Sequence, residues 1–271
     1  MVTGAASGIG RAIALELAAQ GTRLWLLDID ESELALTADQ ARSKGVEVLT
    51  TICDLANPTA ISATVQRIRS DWGRLDLLIN NAAVALYSST AAMSAEAWHR
   101  IFAVNLHAPA QLIHETLPLL LSRTAEHPQA HILNMGSFLG LIPYRRAAAY
   151  QSTKYAIIGL SQTLRAELAD TDVGVSVICP GFVRDTRLFT SLDRTEAKYQ
   201  QKKPPRWITC TPQRVAQRAV RAIRGNHGLV VTTPLARLVW WWSRLTPWMI
   251  DWIYQLNGWV KKRRRRRREK K

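Results

Sequence analysis

From the first residues to about position 180, short apolar runs alternate with longer stretches of helical spacing. Arg23–Ile29 and Leu75–Ile79 are short apolar runs of strand length, and Val46–Ile52, Ala130–Met135 and Val173–Ile178 read as further strands. Between them the 3.6-residue period predicts helices over Arg11–Gln20, Glu31–Lys44, Pro58–Asp71, about Ala95–Leu121, and Ala148–Ala169, with Gly45 closing the second. This order predicts a doubly wound α/β domain: a parallel sheet with helices on both faces and a ligand at the carboxyl ends of the strands. Its first strand is truncated. Only Met1 and Val2 precede the first turn, where a strand ordinarily has about five residues. Either the sheet tolerates a stunted strand or the true start lies upstream.

Two regions break the alternation. Arg184–Trp207 is polar, contains Lys202-Lys203-Pro204-Pro205, and reads as a substrate-covering loop. Leu235–Val260 holds six of the ten tryptophans. Its apolar residues, among them Leu238, Trp241, Trp242, Leu245, Trp252, Leu256 and Trp259, recur at helical intervals. Thr246-Pro247 predicts a cap and a second helix start within it. Charged and polar interruptions make it unsuited to spanning a bilayer, which takes about 20 mostly uncharged residues.

Length and charge set the domain plan. The 271 residues divide into a catalytic domain over 1–234, a tryptophan-rich extension over 235–260, and a basic tail over 261–271 that is expected to be disordered. The net charge of +15 suggests nucleic acid until it is located, because residues 261–271 alone carry +9 and the other 260 residues only +6. That tail has no interleaved aromatics and no recognition fold, so nucleic acid is disfavoured. Cys53, Cys179 and Cys210 are scattered without paired or metal-like spacing, which suits a reducing, cytoplasmic compartment and argues against disulfides and metal. His99, His107 and His114 fall irregularly on the long helix and are expected to pack.

The candidate chemistry begins at Thr3-Gly4-Ala5-Ala6-Ser7-Gly8-Ile9-Gly10, which opens the first helix. Three glycines let a backbone approach a pyrophosphate, and the helix N-terminus presents N–H groups to it. The spacing is G-x-x-x-G-x-G, a loose match to the G-x-G-x-x-G pattern. Asp28 ends the next strand, where a carboxylate can accept from an adenosine ribose and repel a 2′-phosphate. With no cation supplied by Ser7 or Ile29, this favours NAD over NADP; Asp30 is the competing carboxylate. Tyr150 and Lys154 share a helix face at i, i+4, so the ammonium is expected to move the phenol pKa toward the working range. Ser137, after a strand, could hydrogen-bond a substrate carbonyl.

In this order the motifs resemble the short-chain dehydrogenase/reductase family over about residues 1–186. The resemblance implies a Rossmann fold and hydride transfer between a nicotinamide and an alcohol or carbonyl carbon. It implies that Tyr150 is the general acid/base, that Lys154 lowers its pKa and binds the nicotinamide ribose, that Ser137 polarises the carbonyl, and that Asn105 holds a water in a proton relay. It further implies cofactor contacts from Gly4, Ser7, Gly8, Ile9, Gly10, Asp28, Asp54, Leu55, Asn81 and the backbone around Val183, in a homodimer or homotetramer. Three positions depart from the family pattern. Ala83 replaces a glycine after Asn80-Asn81-Ala82, Gly136 stands where a serine often precedes Ser137, and Asp185 occupies a position usually held by threonine.

For the tail, two readings stay open: an anionic membrane surface bound by residues 235–271 at the inner face, or a subunit interface. A membrane location would imply a lipophilic substrate, such as a long-chain, isoprenoid or steroid alcohol or ketone. The alternative to an enzyme is a catalytically silent scaffold on the same fold.

Overall fold

The computed structural model describes residues 1–122, 129–184, 186, 188, 205 and 208–268. The chain divides into two compact units, Met1–Thr233 and Pro234–Lys271. Most of the predicted polar loop between Arg184 and Trp207, including Asp185, lies outside the described residues.

In the first unit the order is β1 (Val2–Thr3), α1 (Gly8–Ala18), β2 (Leu24–Asp28), α2 (Glu31–Arg42), β3 (Val48–Ile52), α3 (Pro58–Trp72) and β4 (Leu77–Asn80). Then come α4 (Ala95–Phe102), a π-turn (Ala103–His107), α5 (Ala108–Leu121), β5 (Ala130–Met135), α6 (Ala148–Glu167) and β6 (Val173–Cys179). The unit closes with β7 (Phe182–Val183), β8 (Thr209–Cys210), α7 (Pro212–Arg224) and β9 (Leu229–Val231). Seven parallel strands form one sheet in the order β3-β2-β1-β4-β5-β6-β9, while β7 and β8 pair separately. Strand order reverses between β1 and β4, which opens a crevice at their carboxyl ends.

Side-chain alternation sends each strand into two cores. Leu24 and Leu26 pack with α1, α2 and α7, whereas Trp25 and Leu27 pack with α3 and α5. The two-residue β1 is paired on both sides, Val2 with Leu26 and with Ile79.

The long helix expected over Ala95–Leu121 is interrupted. A π-turn at Ala103–His107 divides it, with Asn105 buried at its centre. Nothing in residue spacing signals this turn; the Asn105 side chain, tied to another segment, accompanies it.

The neighbouring strands β5 and β6 bury a histidine. His131 Nε2 lies 2.8 Å from Ser176 Oγ, and the Ser176 hydroxyl donates to the His227 carbonyl at 2.6 Å. With its one proton so used, the hydroxyl can only accept from Nε2–H, so the neutral ring carries its proton on Nε2. Burial first, then Arg165, holds His131 down to about 4. The unfolded chain takes up this proton below about 6.5 and the folded chain only near 4, so stability is full above that window and falls as pH descends through it. We expect a loss of at most about 3 kcal/mol from this group. Denaturant midpoints measured from pH 7 to 4.5 should fall less steeply in His131→Asn than in the wild type.

The second unit contains α8 (Pro234–Leu245) and α9 (Pro247–Arg268). The break lies at Thr246 as expected, but its hydroxyl donates back to the Trp242 carbonyl at 3.0 Å. Where a disordered basic tail was expected after residue 260, α9 continues to Arg268. Lys and Arg are strong helix formers and sit at the favourable, negative end of the helix dipole. Among the described residues no helix is long and apolar enough to cross a membrane.

Candidate active site

The carboxyl ends of β1, β2, β4, β5 and β6 surround one cleft of about 410 Å³. It runs from Asp28 at one end, across the glycine turn, to Tyr150 and Leu188 at the other.

The glycine turn is shaped by close approach. Gly4 and Gly8 have φ of +66° and +54°, where a β-carbon is strained. Ser7 is the N-cap of α1 without a capping side-chain bond, and no acidic side chain occupies the first turn. The helix therefore offers its first N–H groups to the cleft, and a β-carbon on Gly8 would meet nothing nearer than Thr186 at 3.5 Å. That is a cradle for an anionic group. Asn81 braces it from β4: its Nδ2 donates to the carbonyls of Thr3 at 3.0 Å and Gly4 at 3.2 Å. Thr3, unremarked in the sequence reading beyond its place before Gly4, accepts at its hydroxyl from the backbone of Asn81 and Ala82.

Asp28 closes the same turn. One carboxylate oxygen accepts from Ala6 N at 2.9 Å and the other from Ile29 N at 2.8 Å and Asp30 N at 3.1 Å. Asp30, the competing carboxylate, instead caps α2 by accepting from Glu33 N. Ser7 and Ile29 supply no cation beside Asp28, but another position brings one to the same turn. Arg11, one turn into α1, reaches the Ala6 carbonyl, pairs with Glu33 at 2.5 Å and donates to Thr37 at 2.9 Å. Glu33 offsets its charge, and Asp28 lines the cleft together with Asp30 and Asp54.

Asp54 and Leu55 line the cleft after β3. Asp54 accepts from Ala56 N at 2.9 Å and faces Arg100 at 3.4 Å. Arg100 also lines the cleft, a residue that carries no signal in the sequence because it arrives from α4.

At the other end, Tyr150 and Lys154 emerge from the first turns of α6, both buried. Lys154 Nζ donates to the Met135 carbonyl at 2.8 Å and stands 5.6 Å from the centre of the Tyr150 ring. Ser137, following β5, hydrogen-bonds the Tyr150 hydroxyl and accepts from Leu139 N at 3.1 Å. The expected lowering of the phenol pKa does not occur in the protein alone. Burial pushes Tyr150 above its ordinary value, the Ser137 hydrogen bond opposes this, and Tyr87 and Cys179 add to it. Burial likewise lowers Lys154 to about 8. For both groups the largest cause is desolvation, which disfavours the charged form.

Asn105 does not line the cleft, and neither does Gly10. The Asn105 amide is hydrogen-bonded at both ends: Oδ1 accepts from Val84 N at 2.8 Å, and Nδ2 donates to Val84 O at 2.8 Å and Thr153 Oγ1 at 3.2 Å. It ties the loop after β4 to α6. A similar brace was missed within the Tyr-x-x-x-Lys segment itself, where Gln151 donates to the carbonyls of Leu139 and Ile142 and accepts from Tyr144 N. Gly136, where a serine was the family expectation, has no room for a side chain, since a β-carbon would sit 2.9 Å from Cys179 Sγ. Cys179 itself is pushed up to about 12 by burial and is an inert packing group. Val183 lines the cleft from β7. Among the described residues no cluster of His, Cys, Asp or Glu could hold a metal.

A sequence model of the short chain dehydrogenase family matches residues 1–197. The ketoacyl reductase HetN of Nostoc is 29% identical over 264 residues, covering 95% of this chain and 88% of the relative. A short-chain dehydrogenase/reductase from Burkholderia phymatum solved with NAD superposes with a TM-score of 0.78 at 28% identity, covering 92% of this chain and 93% of that one. A metagenomic short-chain oxidoreductase solved with NADP gives 0.68 at 29% identity, covering 86% and 96%. With a glycine cradle at one end of the cleft and Ser137, Tyr150 and Lys154 at the other, the chain belongs to the short-chain dehydrogenase/reductase family of nicotinamide-dependent oxidoreductases.

Proposed function

We propose that this chain interconverts a lipophilic alcohol and its carbonyl with NAD. The observation that carries the reading is the Ser137–Tyr150–Lys154 group at the far end of the cleft from the phosphate cradle. The nicotinamide, when bound, supplies or accepts the hydride. Gly4, Ser7, Gly8 and Ile9 hold the pyrophosphate, Asp28 the adenosine ribose, Asp54 and Leu55 the adenine side, and Asn81 backs the turn. Gly10 serves by packing. The backbone at Val183 meets the nicotinamide amide.

The protein's part is position and a proton. Tyr150 and Ser137 donate hydrogen bonds to the carbonyl oxygen, and the Tyr150 proton passes to it as the carbon is reduced. Because burial keeps the phenol neutral, the resting enzyme is a proton donor, which suits reduction. A relative named as a ketoacyl reductase supports the same direction. Lys154 matters once charge develops: its ammonium steadies the phenolate and takes the ribose hydroxyls. Asn105 holds a water of the proton relay, and its amide ties the loop after β4 to α6 beside Tyr150.

Lipophilicity is supported by the wall around Tyr150, where Ala85, Leu139, Tyr144 and Leu188 pack against it. Three buried free cysteines suit a reducing compartment, and a homo-oligomer follows family habit. NADH consumption with a panel of long-chain ketones and ketoacyl thioesters tests the reading. Unaltered absorbance across the panel, with NADH bound, would favour the scaffold instead. Removing the Asp28 charge while keeping an acceptor should relax cofactor choice. In Asp28→Asn, kcat/KM for NADP relative to NAD should rise about 10–100-fold, as expected from lifting a like-charge contact. Initial rates with both cofactors check this.

A further inference from the structure

The second unit carries a surface that the reaction does not use. Of the sixteen exposed large hydrophobic side chains among the described residues, eleven lie between Leu235 and Trp259. They are ordered. On α9, Trp248, Trp252, Leu256 and Trp259 follow i, i+4, i+8 and i+11, which places them on one stripe of about 80°. On α8, Leu238, Trp241, Trp242 and Leu245 share a face likewise, and Leu245 and Trp248 remain 75% and 67% exposed. Soluble surfaces rarely expose a contiguous apolar patch of this kind without a partner.

The charge on the same element selects the partner. Residues 261–271 hold ten Lys or Arg and one Glu, and the backbone of α9 continues through Arg268. Tryptophan stripe and basic run are therefore consecutive turns of one helix. A second copy of this chain would bring the same positive excess to the contact and repel it. An anionic lipid surface supplies both missing complements: an apolar boundary layer, where tryptophan settles at headgroup level, and negative charge. α9 is too polar to cross the bilayer.

We infer that α8 and α9 dock the enzyme, lying in the plane of the interface, on an anionic membrane surface. The inference goes beyond the hydride-transfer reading and stands or falls without it.

Co-sedimentation of the full chain with vesicles tests it. The wild type should pellet with vesicles of equal parts phosphatidylcholine and phosphatidylglycerol, stay in the supernatant with phosphatidylcholine alone, and release as salt is raised. W248A/W252A/W259A should lower the pelleted fraction at least ~10-fold. R263Q/R264Q/R265Q/R266Q should reduce binding to anionic vesicles and flatten the salt dependence. Circular dichroism of each variant checks its fold, and the lipid and salt comparisons on the wild type stand without any variant. Wild type that remains in the supernatant with anionic vesicles overturns the inference. So does pelleting indifferent to the tryptophan changes. A wild-type dimer by size exclusion that W248A/W252A/W259A dissociates, with no vesicle binding, would overturn it in favour of a contact between copies.

Discussion

Tyr150→Phe is expected to lower kcat by about 10²–10⁴-fold while the NADH dissociation constant stays within about two-fold of the wild type. The substitution deletes one oxygen from a side chain 4% exposed and leaves its ring packed against Ala85 and Leu139, so the fold has no reason to change. What disappears is the donor that Ser137 hydrogen-bonds. Ser137 cannot take over the proton transfer. An aliphatic hydroxyl lacks the acidity of a phenol, and Lys154 donates to the Met135 carbonyl at 2.8 Å rather than to a substrate position. Single-turnover measurements separate the outcomes. A selective loss in the chemical step supports proton transfer by Tyr150, and a kcat within a few-fold of the wild type refutes it.

Much of the fold was legible because the interior strands β2, β4, β5 and β6 are covered on both faces and therefore written as largely apolar runs, while the edge strand β3 is only partly buried. Their limits fall within two residues of the sequence expectation. The end of the sheet was not. β9 has three residues, and only pairing with β6 identifies it as a strand. α7 did have a readable signal, Thr211-Pro212, in which the Thr211 hydroxyl accepts from Arg214 N ahead of a proline in the first turn. β7 and β8 are two residues each and arise from pairing alone.

At the site, spacing brought the right residue types to attention but could not weigh their surroundings. The i, i+4 relation of Tyr150 and Lys154 is a property of the helix, whereas the direction of the phenol shift depends on how deeply the fold encloses both groups. Arg11 illustrates the same limit. It meets the same turn residue, Ala6, that Asp28 accepts from, and its partner Glu33 comes from α2, 22 residues away in sequence. Asn105 was found by its place in a motif, yet its amide contacts run to Val84 and Thr153, 21 and 48 residues distant in sequence.

Gly10→Ala should be the most damaging single methyl in the chain, although Gly10 does not touch the cleft. Its β-carbon would lie 1.9 Å from the Gly4 carbonyl oxygen, 2.7 Å from the Gly4 carbonyl carbon and 2.5 Å from Asn81 Nδ2. Two of these are backbone atoms of the phosphate turn, so no rotamer change relieves the clash. α1 must move away from β1, or the turn must open and release the Asn81 bonds to Thr3 and Gly4. Either response costs roughly 2–4 kcal/mol of stability and spreads the N–H groups that a pyrophosphate would meet. We expect NADH affinity to fall at least ~100-fold, about the free energy of one charge-assisted hydrogen bond. Gly159→Ala is the control. It lies exposed within α6, a β-carbon there meets nothing within 4 Å, and the change should be neutral or stabilise by up to about 1 kcal/mol. Isothermal titration of NADH and thermal unfolding of both variants test this. Gly10→Ala binding NADH like the wild type would place the dinucleotide somewhere other than the opening turn, and the assignment of Gly4, Ser7 and Gly8 would fall with it.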